Sequence, residues 1–113
     1  MLHLVTAIIK PHTLDAVKEA LQGTAVHGLT ITEVKGFGRQ SGHTETYRGA
    51  EYKIDFVPKI RLDIVVETDA AEAIAALIAD TARTGSIGDG KIWLTAVDRV
   101  IRIRTGEMGA DAL

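Results

Sequence analysis

The sequence contains no cysteine, which excludes disulfides, thiolate metal sites and thiol catalysis and fits a reducing compartment. Aromatic residues are scarce at 4%, and Phe37, Tyr47, Tyr52 and Phe56 share one stretch while Trp93 stands apart. The core must therefore be built from Ile, Val, Leu and Ala. Basic charge is not in surplus: 13 Lys and Arg face 15 Asp and Glu, for a net charge of -2. That balance lacks the broad basic excess of a protein that coats nucleic acid or anionic membrane. Any phosphate-like ligand has to be bound locally. No apolar run approaches the length of a membrane span, and Met1 leads straight into Leu2-His3-Leu4-Val5 without a signal-peptide pattern, so a cytoplasmic protein is expected. At 113 residues the chain predicts one domain, 1–113, with a single modest core.

What is present reads as two strand–helix–strand units. Leu2 to Ile9 is an apolar, β-branched run ended by Lys10-Pro11, a first strand. Thr13 is placed to cap a helix carrying Leu14, Val17 and Leu21 at helical spacing, which Gly23 stops. Leu29 to Phe37 alternates as a second strand, and residues 38–54 show no sustained apolar period. Ile60, Leu62, Ile64 and Val66 alternate with Arg61, Asp63, Val65 and Glu67, the period-two pattern of a third strand with unlike faces. Thr68-Asp69 opens an alanine-rich helix with Ile74, Leu77 and Ile78 as its stripe and Asp69/Glu72 at capping-box spacing. That helix runs out near Thr84-Gly85. A long strand signal then runs from Lys91 to Arg104, interrupted in polarity at Asp98-Arg99.

With right-handed crossovers in both halves, this order predicts an α+β ferredoxin-like βαββαβ sandwich. A four-stranded antiparallel sheet would carry two helices on one face, with a long loop between strands two and three. The second sheet face, with residues such as Val65, would need cover from other copies of the chain. A homo-oligomer is expected.

Gly85-Ser86-Ile87-Gly88-Asp89-Gly90-Lys91 has the spacing GxxxxGK of a phosphate-binding loop, but position 92 is Ile and the context is helix-to-strand, which excludes the NTPase fold. The local physics remains: three glycines can turn several amides toward one anion, and Lys91 can add a charge. The alternative is a plain turn using glycine for positive φ. Lys35-Gly36-Phe37-Gly38 matches the start of an RNA-binding octamer, yet Arg39 and Gln40 replace its stacking aromatics and the match falls on strand two. A dinucleotide reading fails because Ser41 stands where the third glycine belongs. Arg102 and Arg104 alternate along the last strand signal, so both guanidinium groups would share one face and could straddle an anion. With Lys59 and Lys91 they favour a polyphosphate ligand. The four histidines, His3, His12, His27 and His43, show no zinc-ligand spacing. Nothing in the chain announces covalent or acid–base catalysis. A long loop in a small domain points to function, and Tyr47 and Tyr52 suit an interface or a modifying enzyme.

At this point the residues resemble the PII nitrogen-regulatory signal transducers over essentially the whole chain. Tyr47-Arg48-Gly49-Ala50-Glu51-Tyr52 resembles that family's modification-loop signature. Thr81 to Gly85, with Gly88-Asp89-Gly90-Lys91-Ile92-Trp93, resembles its nucleotide-loop signature. Lys35 to Gln40, Gly42 to Glu45 and Arg102 to Glu107 read likewise. The resemblance implies a flexible loop over about residues 38–54, a nucleotide loop over about 82–91 and a C-terminal loop over about 102–113.

It further implies a non-enzymatic homotrimer in which ATP and ADP compete at clefts between subunits. Thr30, Gly36, Phe37, Gly38, Arg39, Gln40 and Asp63 would line the cleft, with Gly88, Asp89, Gly90 and Lys91 around the phosphates and Arg102 and Arg104 reaching from the neighbour. Gln40 would help hold Mg2+, and 2-oxoglutarate would then pair a carboxylate with Lys59. The implied partners are an Amt-family ammonium transporter, a nucleotidyltransferase that modifies Tyr52 by uridylylation or adenylylation, and other regulators and enzymes of nitrogen metabolism, with no nucleic acid. Location would be cytoplasmic, and peripheral at the inner membrane when a transporter is bound. Ala50 argues against the family's serine-phosphorylated form. Departures from the usual pattern are Asp63 for Glu, Ser41 for Lys and His12 for Phe. The alternatives to this sensor are a small ferredoxin-like nucleotide-using enzyme and an RNA-binding domain.

Overall fold

Strand β1, Leu2–Ile9, ends where Lys10 meets Pro11, because proline brings no amide to a ladder. The fold is that of a computed structural model, which describes residues 1–37 and 56–113. Pro11–Thr13 forms a 3-10 turn that feeds α1, Leu14–Leu21. Strand β2 is Thr30–Gly36, β3 is Val57–Glu67, α2 is Thr68–Ala82 and β4 is Gly90–Val97. The spatial order is β2-β3-β1-β4, with every neighbouring pair antiparallel. Each helix thus carries the chain past the strand that separates the two it joins, as expected of a ferredoxin-like sandwich.

The register sorts the sheet into two faces. Val5 opposes Ile64, Ala7 opposes Leu62 and Ile9 opposes Ile60, and these residues bury against Val17 and Leu21 of α1 and Ala71, Ile74, Ile78 and Ala82 of α2. The core is wholly aliphatic, as the shortage of aromatics requires. The other face carries Leu4, Thr6 and Ile8 of β1, each side by side with Val65, Asp63 and Arg61 of β3 and with Thr95, Trp93 and Lys91 of β4. No helix among the described residues covers this face, and Trp93 is 43% exposed. Val65, read as facing away from the helices, does so.

Four local expectations need correction. Strand β3 starts at Val57 rather than Ile60, because Pro58 and Lys59 pair with Lys35 and Val34 of β2 beyond the end of β1. A proline is tolerated where only one side of the strand is paired. Thr13 caps nothing with its side chain; its hydroxyl donates to the Lys10 carbonyl (2.8 Å) and closes the 3-10 turn. The Asp69/Glu72 capping box does not form, because α2 begins at Thr68, with Glu67 as its N-cap and no side-chain cap. The Thr68 amide donates instead to the Met1 carbonyl (3.0 Å), and its hydroxyl bonds the His3 ring (2.8 Å).

The fourth correction concerns the last strand, which ends at Val97 instead of continuing to Arg104. Ile101 bridges to Met108, the Arg102 amide donates to the Glu107 carbonyl (2.8 Å) and the Gly106 amide to the Arg102 carbonyl (2.8 Å). The chain here turns back on itself, so Arg102 and Arg104 do not alternate along one strand face. The polarity break at Asp98-Arg99 is where the sheet is left.

Candidate functional site: a glycine loop between three lysines

The residues joining α2 to β4 form a loop whose shape is set by steric necessity at its end. Gly90 has φ +110, and a Cβ placed on it would lie 1.7 Å from the Ile8 carbonyl oxygen. Only glycine lets β4 approach β1 here. Gly88, at φ +93, would place a Cβ 3.3 Å from the Lys59 Nζ. Between these glycines Asp89 turns inward and accepts hydrogen bonds from the amides of Thr84 (2.8 Å) and Gly85 (2.9 Å) and from the Thr84 hydroxyl (2.5 Å). Lys10, just past the end of β1, pairs with the same carboxylate at 3.2 Å.

Lys59, expected at the site, is here almost wholly buried. It lies on the polar face of β3, yet only 7% of it is exposed. Because β1 stops at Ile9, the side chain reaches past that end and donates to the Gly88 carbonyl. Gly36, two residues beyond its pairing partner Val34, leaves the lysine stem room. Burial lowers the Lys59 pKa, Lys10 beside it pushes the same way, and Asp89 offsets part of the shift. A buried ammonium held by one carbonyl is poorly compensated. Such a group can gain from an anion that replaces the lost hydration.

Lys91 projects from the open face of β4, with Ile8 between it and Arg61 in one cross-sheet row. Among the described residues the amides of Ile87 and Gly88 have no acceptor within the chain. Unaccepted amides beside a buried cation and a second lysine suit the oxygens of a phosphate. A cleft of about 430 Å³, lined by Pro11, Glu33, Val34, Lys35, Pro58, Lys59 and Ile60, adjoins this corner. No group of three or more His, Cys, Asp or Glu side chains among the described residues could hold a metal.

One chain brings Gly36, Lys59, Gly88, Asp89, Gly90 and Lys91 to this corner and leaves the other predicted site residues elsewhere. Thr30 and Asp63 pair across β2 and β3, several residues along the sheet from Lys59. The Asp63 carboxylate is held by Arg61 (2.9 Å) and by the fully buried Thr6 hydroxyl (2.9 Å). Arg102 binds Glu107 (2.7 Å) and the Leu113 carbonyl (2.9 Å), and Arg104 lies in the exposed turn that follows. Phe37 leaves β2 beside Phe56, with ring centroids 6.0 Å apart. Gly38, Arg39, Gln40 and Tyr52 lie outside the described residues. Sequence reasoning missed Lys10 and Arg61. Lys10 could have been found, because any sheet that pairs β1 antiparallel with β4 sets the end of one against the start of the other.

Two carboxylates, Asp89 at the loop and Asp63 further along the sheet, are stabilised as anions. The Thr84 hydroxyl and the Gly85 amide, with the Thr84 amide and Lys10, hold Asp89 well below the usual carboxylate range against the opposing effect of burial. Arg61, with Thr6, lowers Asp63 in the same way. A depressed folded-state pKa contributes stability that is complete above the unfolded value of roughly 4 and is lost as pH falls through the folded value. Melting temperature should therefore lose these two contributions only below about pH 4, and Asp63→Asn and Asp89→Asn should each flatten part of that fall. Acid profiles identical to the parent in both variants would contradict the assignment.

Fold and site together define a ferredoxin-like domain with a cationic glycine-loop corner. Residues 2–107 match the family model described as Nitrogen regulatory protein P-II. The chain is 58% identical to the nitrogen regulatory protein P-II of Rhizobium meliloti over 96% of its length and 97% of that protein's. It is 56% identical to the protein of the same description from Azospirillum brasilense, with the same coverage. A solved structure, Arabidopsis thaliana PII bound to citrate, superposes with a TM-score of 0.81 at 38% identity, covering 99% of this chain and 92% of that one. The chain belongs to the nitrogen regulatory protein P-II family, whose members are regulators rather than enzymes. That membership sets aside the nucleotide-using enzyme. No helix among the described residues is long and apolar enough to cross a membrane.

Proposed function

We propose that the chain is a sensor of nucleotide and 2-oxoglutarate that acts as a homotrimer. ATP and ADP compete for a cleft between subunits, and the Gly88–Lys91 loop takes the phosphates. The observation that carries this reading is the buried, poorly compensated Lys59 beside a glycine loop with unaccepted amides. The separation of the site residues supports a shared cleft. In one chain the glycine loop, the Thr30/Asp63 pair and the Arg102/Arg104 turn stand at different places, and a neighbouring copy is the economical way to face all three toward one ligand. The uncovered sheet face with Leu4, Ile8, Val65 and Trp93 supplies an apolar surface for that assembly.

Lys59 pairs with a carboxylate of 2-oxoglutarate. Gln40 and the triphosphate oxygens hold Mg2+, which when bound supplies a hard, oxygen-seeking centre for the 2-oxo acid. The two ligands are then reciprocally coupled. The connection between β2 and β3 carries the output to an Amt-family transporter or another nitrogen-metabolism target, and Tyr52 is its nucleotidylylation site. The citrate in the Arabidopsis relative is a polycarboxylate, the ligand class this reading assigns to Lys59.

Calorimetric competition tests the nucleotide half. ADP should saturate one site per chain, in a particle three times the 12.1 kDa chain mass, and ATP should displace it. Full-affinity binding to a monomer would sink the shared cleft. Multiple-turnover phosphate release that disappears in Lys91→Ala would restore the enzyme alternative.

A further inference from the structure

Asp89 is a negative charge inside a loop built to attract an anion, where by charge alone it opposes binding. Its geometry resolves this. A carboxylate offers about four lone-pair sites, and four donors occupy them: the amides of Thr84 and Gly85, the Thr84 hydroxyl and the Lys10 ammonium. The same Thr84 hydroxyl oxygen accepts from Lys10 (3.1 Å) and from the Ser86 amide (3.2 Å). These bonds close a ring that ties the end of β1, the residues just past α2 and the start of β4 together. The amides that find no acceptor within the described chain, those of Ile87 and Gly88, lie between the tied points.

We propose that Asp89 is a positioning residue: through Thr84, Gly85 and Lys10 its carboxylate holds the loop in the conformation that presents the Ile87 and Gly88 amides to a phosphate, and that carboxylate touches neither the phosphate nor its metal. The carboxylate would then serve the phosphates from behind the loop, as a brace for the groups around them. Its saturated acceptors leave it none for a cation, and turning outward would forfeit four hydrogen bonds. Lys10 gains a role by the same geometry, since it neutralises the latch while Lys59 and Lys91 face the ligand. The inference rests on the anion-binding reading above.

The test uses the full chain, with amide hydrogen exchange measured without ligand and ADP affinity measured in EDTA. In the parent, the Thr84 and Gly85 amides should be protected, and in Asp89→Asn they should exchange at least about tenfold faster. ADP affinity in EDTA should fall about 10- to 100-fold in Asp89→Asn and by a smaller factor in Thr84→Val, with recovery in Thr84→Ser. The Asp89→Asn/Thr84→Val double variant should bind no worse than Asp89→Asn alone, because both break one ring. Unprotected amides in the parent would overturn the latch. A loss seen only with Mg2+ would make Asp89 a metal ligand, and additive losses would make the two residues independent; either overturns the proposal. If Asp89→Asn does not fold, the Thr84 pair decides, and Thr84→Val binding ADP like the parent counts against it. A parent with protected amides that binds no ADP would instead overturn the anion-binding reading, and the positioning role with it.

Discussion

Lys59→Ala is expected to abolish measurable 2-oxoglutarate binding while sparing most ATP binding. The ammonium is buried, its pKa is lowered by that burial, and its hydrogen bond is to a neutral carbonyl, Gly88. It therefore stands to gain from a carboxylate. Truncating one member of a desolvated charge pair costs about 2–5 kcal/mol, a loss of roughly 30-fold to several thousandfold in affinity. ATP should suffer less, because Lys91 and the loop amides remain. Calorimetry of both ligands on the variant reads the split directly. If 2-oxoglutarate binds Lys59→Ala as it binds the parent, the carboxylate site lies elsewhere.

Gly90→Ala should be the most damaging glycine-to-alanine change among the described residues. Its Cβ would meet backbone rather than side chain, at 1.7 Å from the Ile8 oxygen and 2.8 Å from the Ile8 carbonyl carbon, with φ at +110. Neither group can move without parting β4 from β1 at the site's corner. A cost on the order of 3–5 kcal/mol is expected, with about 4–8 °C of melting temperature per kcal/mol for a domain of this size. Gly88→Ala is the informative comparison, since its new methyl would meet the movable end of Lys59 at 3.3 Å. That variant should stay much closer to the parent in stability and lose ligand affinity instead. Equal melting temperatures for Gly90→Ala and the parent would show that the strands meet differently.

Much of the fold could be read from local pattern, because strand and helix periods are properties of neighbouring residues. The alternation at Ile60, Leu62, Ile64 and Val66 and the Ile74/Ile78 stripe became the buried faces of β3 and α2. What could not be read depends on residues distant in sequence. The start of α2 is satisfied by Met1 and His3, so local capping signals misled there. Arg102 and Arg104 kept strand-like alternation, but contacts from Glu107 and Met108 bend the segment into a turn.

The site divides in the same way. Its glycine loop was visible as a motif, since glycine spacing and Lys91 are local. The burial of Lys59 was not, because a lysine alternating with apolar residues reads as solvated until the Gly88 loop is placed over it. Asp89 shows the limit most clearly. The resemblance places it around the phosphates, and nothing local announces that its carboxylate has four donors from the far end of β1 and the residues just past α2.

The coupling of the two effectors is the most direct measurement. Titrated calorimetrically into the assembled protein, 2-oxoglutarate should release heat and saturate when Mg-ATP is present, and should not bind when nucleotide is absent or when ADP replaces ATP. Binding of equal affinity in all three conditions would contradict a carboxylate site completed by the nucleotide.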